Sequence, residues 1–160
     1  MTLADVVPFS RIAYQNLGND KLIVEKLNRE FETWVKSKKS VDDLIDRIRK
    51  ATGMSYSQAK RVAQTERTRI QNEARLETIR EMNKELVGKR RWRKQWIARN
   101  DERTRDTHAG ISGAVQLVNR YFVMSNGAKL MYPGDPKAPA SEIINCRCYI
   151  RRVPPPPKKG

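Results

Sequence analysis

Residues 55–88 read SYSQAKRVAQTERTRIQNEARLETIREMNKELVG, and this stretch decides the fold. Ser55 and Gln58 have the S-x-x-Q spacing of a capping box, so a helix is expected to open there. Ala59, Val62, Ala63, Ile70, Ala74, Ile79, Met82 and Leu86 then recur at helical spacing and carry the helix to Gly88. The rest of its surface is heavily charged. Glu73/Glu77 and Glu77/Glu81 are like-charge i,i+4 pairs, so packing must help hold a helix of this length.

N-terminal to it, two shorter helices are predicted. Asp20 is placed to cap the first, whose Leu22, Ile23, Leu27, Phe31, Trp34 and Val35 return to one broad stripe. Ser40 followed by Asp43 opens the second, which runs through Leu44, Ile45 and Ile48 to a stop at Gly53. The stripe is larger than a short extension needs, so part of it is expected to be left for another protein. Residues 1–53 therefore form an N-terminal helical region.

C-terminal to Gly88 the texture changes. Lys89–Ile97 mixes aromatics with cations and suits a strand or a basic surface segment. Residues 104–118 are compatible with a helix broken by Gly110 and Gly113. Tyr121–Met124, the turn Ser125-Asn126-Gly127 and Lys129–Tyr132 make a hairpin, with Asn126-Gly127 as its specific signal. Prolines 133, 136 and 139 impose a loop, and Cys146–Val153 reads as a last strand. Residues 154–160 form a polyproline-like Pro/Lys tail. The predicted class is α+β: helices leading into a small antiparallel sheet domain over residues 54–153.

The 160 residues carry a formal net charge of +15, unevenly placed: residues 54–100 hold 13 basic and 5 acidic groups. Such an excess repels itself unless a polyanion is present, and nucleic acid is the commonest. Lys89, Arg90, Arg91, Arg93, Lys94 and Arg99 lie in a segment with no acid and two tryptophans, so they are the expected contacts to double-stranded DNA, made without base readout. No apolar run reaches the roughly 18 residues of a membrane span, and the first residues lack the pattern of a signal peptide. The default compartment is the cytoplasm of the producing cell. Cys146 and Cys148, one residue apart, speak against a disulfide-stapled scaffold and for a reduced setting.

Four spaced motifs follow in order: Asp101-Glu102-Arg103-Thr104-Arg105-Asp106-Thr107-His108 with Ile111-Ser112-Gly113, Tyr132-Pro133-Gly134-Asp135, and Asn145-Cys146-Arg147-Cys148, all preceded by Gln64-Thr65-Glu66-Arg67-Thr68. Together they resemble the phage Mu F-like minor head protein (head morphogenesis) family over roughly residues 50–152. The resemblance implies a minor capsid protein of a tailed phage or prophage, in the virion interior after assembly in the host cytoplasm. Its implied partners are portal and/or major capsid or scaffold proteins and the packaged genome, with portal the candidate for the helical stripe.

Asp101, Arg103, Arg105, His108, Asn145 and Arg147 are expected to form a structural lock. Asp101 and Arg105 have the spacing of a helical ion pair, and Asp106 is placed to orient His108. The sharper alternative is a metal site. His108, Cys146 and Cys148 are ligands zinc accepts, with Asp101 or Asp106 as an oxygen fourth. No cofactor is otherwise required. The chain has one histidine, no Gly-rich phosphate loop and no G-x-S-x-G, so no enzyme is predicted. Glu30-Phe31-Glu32 has the E-x-E spacing of mono-ADP-ribosyltransferase toxins, but a surface pair on the first helix accounts for it better. A helix-turn-helix regulator is the remaining competitor, with Lys60, Arg61, Arg67 and Arg69 on the second helix.

Overall fold

The computed structural model describes residues 21–158. The Asp20 cap, the rest of residues 1–20 and the last two residues of the Pro/Lys tail lie outside them. Helix α1 spans Lys21–Ser37, α2 Val41–Thr52 and α3 Tyr56–Asn83. The caps predicted at Ser40, Gly53 and Ser55 form. Ser40 Oγ accepts from the Asp43 N–H at 3.3 Å, and Gly53, at φ +73°, ends α2 with its N–H on the Arg49 carbonyl at 2.8 Å. The left-handed turn there is one glycine adopts without a Cβ penalty. Ser55 and Gln58 form both halves of the capping box of α3.

Leu27 and Phe31 of α1 are buried with Leu44, Ile45 and Ile48 of α2 in the core that continues through Ala59, Val62 and Ala63 of α3. Ile23, Trp34 and Val35 pack on its margin, and Trp34 Nε1 donates to the Ser40 carbonyl at 2.8 Å. The expected docking stripe is thus consumed internally. Of its six residues Leu27 and Phe31 are buried, Ile23, Trp34 and Val35 are half-buried, and Leu22, 54% exposed, faces outward.

Helix α3 stops at Asn83, five residues before Gly88. The Asn83 side chain brackets Trp92, accepting from its N–H at 2.8 Å and donating to its carbonyl at 3.0 Å. The chain reverses through a 3-10 turn at Gly88–Arg90 and enters strand β1, Arg93–Ile97. The basic segment is therefore the central strand of a sheet ordered β2-β1-β5, antiparallel throughout, with β2 at Val115–Gln116 and β5 at Tyr149–Val153. Lys94 faces Arg152 and Trp96 faces Ile150 across the β1–β5 pair. Alternation along β1 buries Lys94 and Trp96 and leaves their neighbours half-buried.

Two expectations needed correction here. The helix over 104–118 shrinks to α4, Asp106–Gly110, because Gly113 turns the chain at φ +92° into β2. The hairpin forms as read, with β3 at Phe122–Val123 and β4 at Lys129–Leu130, but it is a separate two-stranded sheet. The last strand pairs with β1 and not with the hairpin. Helix α5, Ala140–Ile143, completes the α+β fold.

Candidate functional site

Helix α3 is the spine against which the other motifs fasten, and the fasteners are polar. Thr65 Oγ1 accepts from the Asn145 N–H at 3.0 Å, and Thr68 Oγ1 donates to the Cys146 carbonyl at 2.5 Å. Asn72 accepts from the Ile150 N–H at 3.0 Å and donates to the carbonyls of Pro133 and Cys148, both at 3.2 Å. Tyr132 donates to Glu73 at 2.5 Å. Gly134, at φ +87°, passes so close that a Cβ would lie 2.9 Å from the Arg69 nitrogen. That explains the glycine of the Tyr-Pro-Gly-Asp turn. Beneath it, Arg69 is sealed between Glu66 at 2.7 Å and Glu73 at 3.0 Å. Burial pushes both carboxyls up, only partly offset by the Arg69 guanidinium.

The expected ion pair of Asp101 with Arg105 does not form, because residues 101–105 are not helical. Asp101 instead accepts from Arg147 at 2.6 Å and from the Arg103 N–H at 3.0 Å. The Arg147 hydrogen bond holds its carboxyl down to about 2. Arg105 donates to the Ile144 carbonyl, joining the same loop from the other side. Asn145 reverses the loop at φ +58°. Asp101, Arg105 and Arg147 thus fasten this loop through partners other than the expected ones.

His108 sits at its centre, fully buried, its ring edge-on to Trp96 at 5.2 Å. Its Nε2 lies 2.8 Å from Glu142, not near the exposed Asp106. Burial raises the Glu142 carboxyl, but hydrogen bonds from Asn126 at 2.7 Å and from His108 outweigh it and leave it below its ordinary value. A carboxylate only accepts, so this network assigns the Nε2 proton to donate toward Glu142 and turns Nδ1 to the cysteines. Nδ1 is 3.6 Å from Cys146 Sγ and 3.5 Å from Cys148 Sγ. The Cys146 thiol's hydrogen bond pulls Cys148 down to about 5, while the same contact and burial push Cys146 up. These three side chains can hold a metal ion; Asp101 and Asp106 do not join the cluster.

The expected DNA contacts separate in space. Lys94 is 0% exposed, its ammonium on the Met131 carbonyl at 2.7 Å and over the Phe122 ring, so it cannot reach a phosphate. Trp96 is equally buried, and Trp92 is half-buried beneath Arg152. Base stacking by these rings is ruled out for Trp96. Lys89, Arg90 and Arg91 are exposed around the 3-10 turn. Arg93 is half-buried, donating to the Pro154 carbonyl at 3.5 Å. Arg99 lies beyond the opposite end of β1, roughly 25 Å of extended chain away. There it enters a groove of about 380 Å³ lined by Gln64, Arg67, Thr68, Gln71, Arg75, Arg147, Cys148 and Tyr149. No acid lines this groove. Arg75 stacks on Tyr149 at 5.3 Å.

Sequence reasoning missed Glu142, Asn72 and Arg75, read Asn126 only as a turn residue, and gave Arg67 and Arg69 a DNA-binding role only in the helix-turn-helix alternative. Thr65, Thr68 and Asn72 carried a usable signal, because they place polar groups on the inner face of an otherwise apolar-periodic helix. Arg75 carried none, since 10 of the 28 residues of this helix are charged.

The helix-turn-helix alternative loses its recognition helix. α3 is 28 residues long, is packed by α2 and by β5, and keeps Arg69 in the buried ion pair. Glu30 is 3.6 Å from Arg47, and Glu32 is exposed two helical positions away, so the pair does not converge on a site.

Comparison with known proteins agrees with the motifs. The chain is 31% identical over 121 residues to an NAD(+)–arginine ADP-ribosyltransferase of Enterococcus faecalis, an alignment covering 72% of this chain and 23% of that protein. The chain thus spans under a quarter of the length of this curated relative. No solved structure matches it. Residues 25–151 match the family described as Phage Mu protein F like protein, and the chain belongs to that family.

Proposed function

We propose that the chain is a minor capsid protein of a tailed phage or prophage, working in the head interior and gripping packaged double-stranded DNA without regard to sequence. The observation that carries this reading is the acid-free groove of Arg67, Arg75, Arg99 and Arg147, in a chain of a phage head family. Guanidinium groups match phosphate oxygens bidentately and stay charged at any working pH. Arg67 and Arg75 stand on α3, Arg99 follows β1 and Arg147 lies just before β5, and Thr68 and Asn72 tie α3 to the Cys146–Ile150 segment, so the spacing of the cations is largely set before DNA arrives. Such contacts fix position on the duplex and carry no base information.

Association with portal, major capsid or scaffold proteins accompanies this role, and no chemical step is needed for it. The chain is made in the host cytoplasm and enters the head during assembly. None of the helices among the described residues is long and apolar enough to cross a membrane. Expressing the chain together with portal, scaffold and major capsid proteins from the same genome and sedimenting the particles tests the assignment. The chain is expected in DNA-filled heads, shielded from added protease. Recovery solely in the soluble fraction, with heads complete without it, overturns it.

A further inference from the structure

We propose that His108 Nδ1, Cys146 Sγ and Cys148 Sγ bind one zinc ion, whose fourth position is held by solvent at an arginine-lined opening. Zinc bonds of about 2.3 Å to sulfur and 2.0–2.1 Å to nitrogen, set tetrahedrally, separate nitrogen from each sulfur by about 3.6 Å. The observed separations are 3.6 and 3.5 Å. Hydrogen bonding to the ring accounts for one of the two thiols. A ring nitrogen has one in-plane lone pair, so two thiols at equal distance cannot both donate along it, whereas a single ion satisfies all three atoms.

The surroundings have the features of a metal site. All three side chains are buried, and their ligand atoms lie within 4.8 Å of one another. Glu142 takes the opposite ring nitrogen of His108 at 2.8 Å, which fixes the ring with Nδ1 facing inward. A carboxylate behind a histidine is the usual support of a ligating imidazole. Two sulfurs and one nitrogen favour zinc over calcium or magnesium, which take oxygen ligands. Zinc with two thiolates is neutral overall, so it sits beside Arg105 and Arg147 without repulsion. The void next to the cluster, about 10 Å³, is bounded by Arg99, Arg103, Arg105 and Arg147. That is about the room one water needs.

The full chain, purified without chelator, is analysed for metals and by X-ray absorption. Expected are about one zinc per chain, a first shell of two sulfurs and two nitrogen or oxygen atoms, and a lower Tm after chelation. Cobalt substitution is expected to give a tetrahedral spectrum that shifts when a small anion such as thiocyanate is added. Asp101→Asn should keep the metal and Cys148→Ser should lose it. Because Cys148→Ser can fail to fold, the absorption measurement on the unaltered chain decides by itself. Protein that stays metal-free after incubation with zinc, copper in place of zinc, or a Cys146–Cys148 disulfide overturns the proposal. A cobalt spectrum indifferent to added anions overturns the open fourth position.

Discussion

The α1–α2 pair and the motif-bearing half beyond Ser55 are held together by opposite means. In the first, Leu27, Phe31, Leu44, Ile45 and Ile48 bury a continuous apolar seam, and the polar ties, Trp34 on the Ser40 carbonyl and Glu30 with Arg47, lie at its margin. In the second, elements up to 80 residues apart are tied by hydrogen bonds that Thr68 donates and that Thr65, Asn72 and Glu73 accept. Apolar packing tolerates exchange of shape. A closed polar network does not, because every unpaired buried group costs its desolvation. The second half therefore has its geometry fixed atom by atom, which suits the part that presents the arginines.

The sharpest way to break this contrast is Arg69→Met. It leaves Glu66 and Glu73 buried without a cation and is expected to cost roughly 3–5 kcal/mol in urea unfolding. A loss under about 1 kcal/mol would contradict a closed network. Ile48→Ala in the apolar seam is expected to cost roughly 2–4 kcal/mol with no change in the far motifs. Gly134→Ala drives a methyl into the Arg69 backbone and is expected to cost about 3 kcal/mol, overpacking added to left-handed strain. Gly127→Ala, at φ +85° with open space around it, carries the strain alone and should cost about 1–2 kcal/mol. Equal losses at the two glycines would remove the case for a close approach at Gly134.

The smallest effect is a pH dependence. Burial holds the Lys94 ammonium down to about 8, against an ordinary 10.5. Below about 8 folded and unfolded chains both carry the proton, and between about 8 and 10.5 only the unfolded chain does. Stability contributed by this residue therefore rises with pH across that window. Lys94→Met should flatten the rise in denaturant midpoints measured from pH 7.5 to 10.5. An unchanged slope would place the titration elsewhere.

What the sequence made legible follows the same division. Periodicity and caps gave α2 and the start of α3 nearly to the residue, since a helix writes its buried face at fixed spacing, but α3 ends at Asn83 and does not run to Gly88. The motifs located the site, because Asn145–Cys148 and Tyr132–Asp135 have local turns that need those residues. Partners across the fold stayed hidden. Asp101 was assigned to Arg105 and not to Arg147, and the support of His108 to Asp106 and not to Glu142, because nearness along the chain was the one available guide to nearness in space. The same limit made Lys89–Arg99 look like one basic patch. A strand alternates its faces, so Lys94 went inward, and its length parted Arg90 and Arg91 from Arg99.

In the proposed function DNA is gripped by the groove on α3 and not by the basic segment before β1. The slope of log affinity against log salt for a mixed-sequence duplex, read by fluorescence anisotropy, tests it most directly. Replacing Arg67, Arg75 and Arg99 together by Gln should lower that slope by about 3, one unit for each lost phosphate contact, and equally on every sequence. Replacing Lys89, Arg90 and Arg91 by Gln should change it by less than about 1. A slope that survives the first triple variant and collapses in the second would contradict the account.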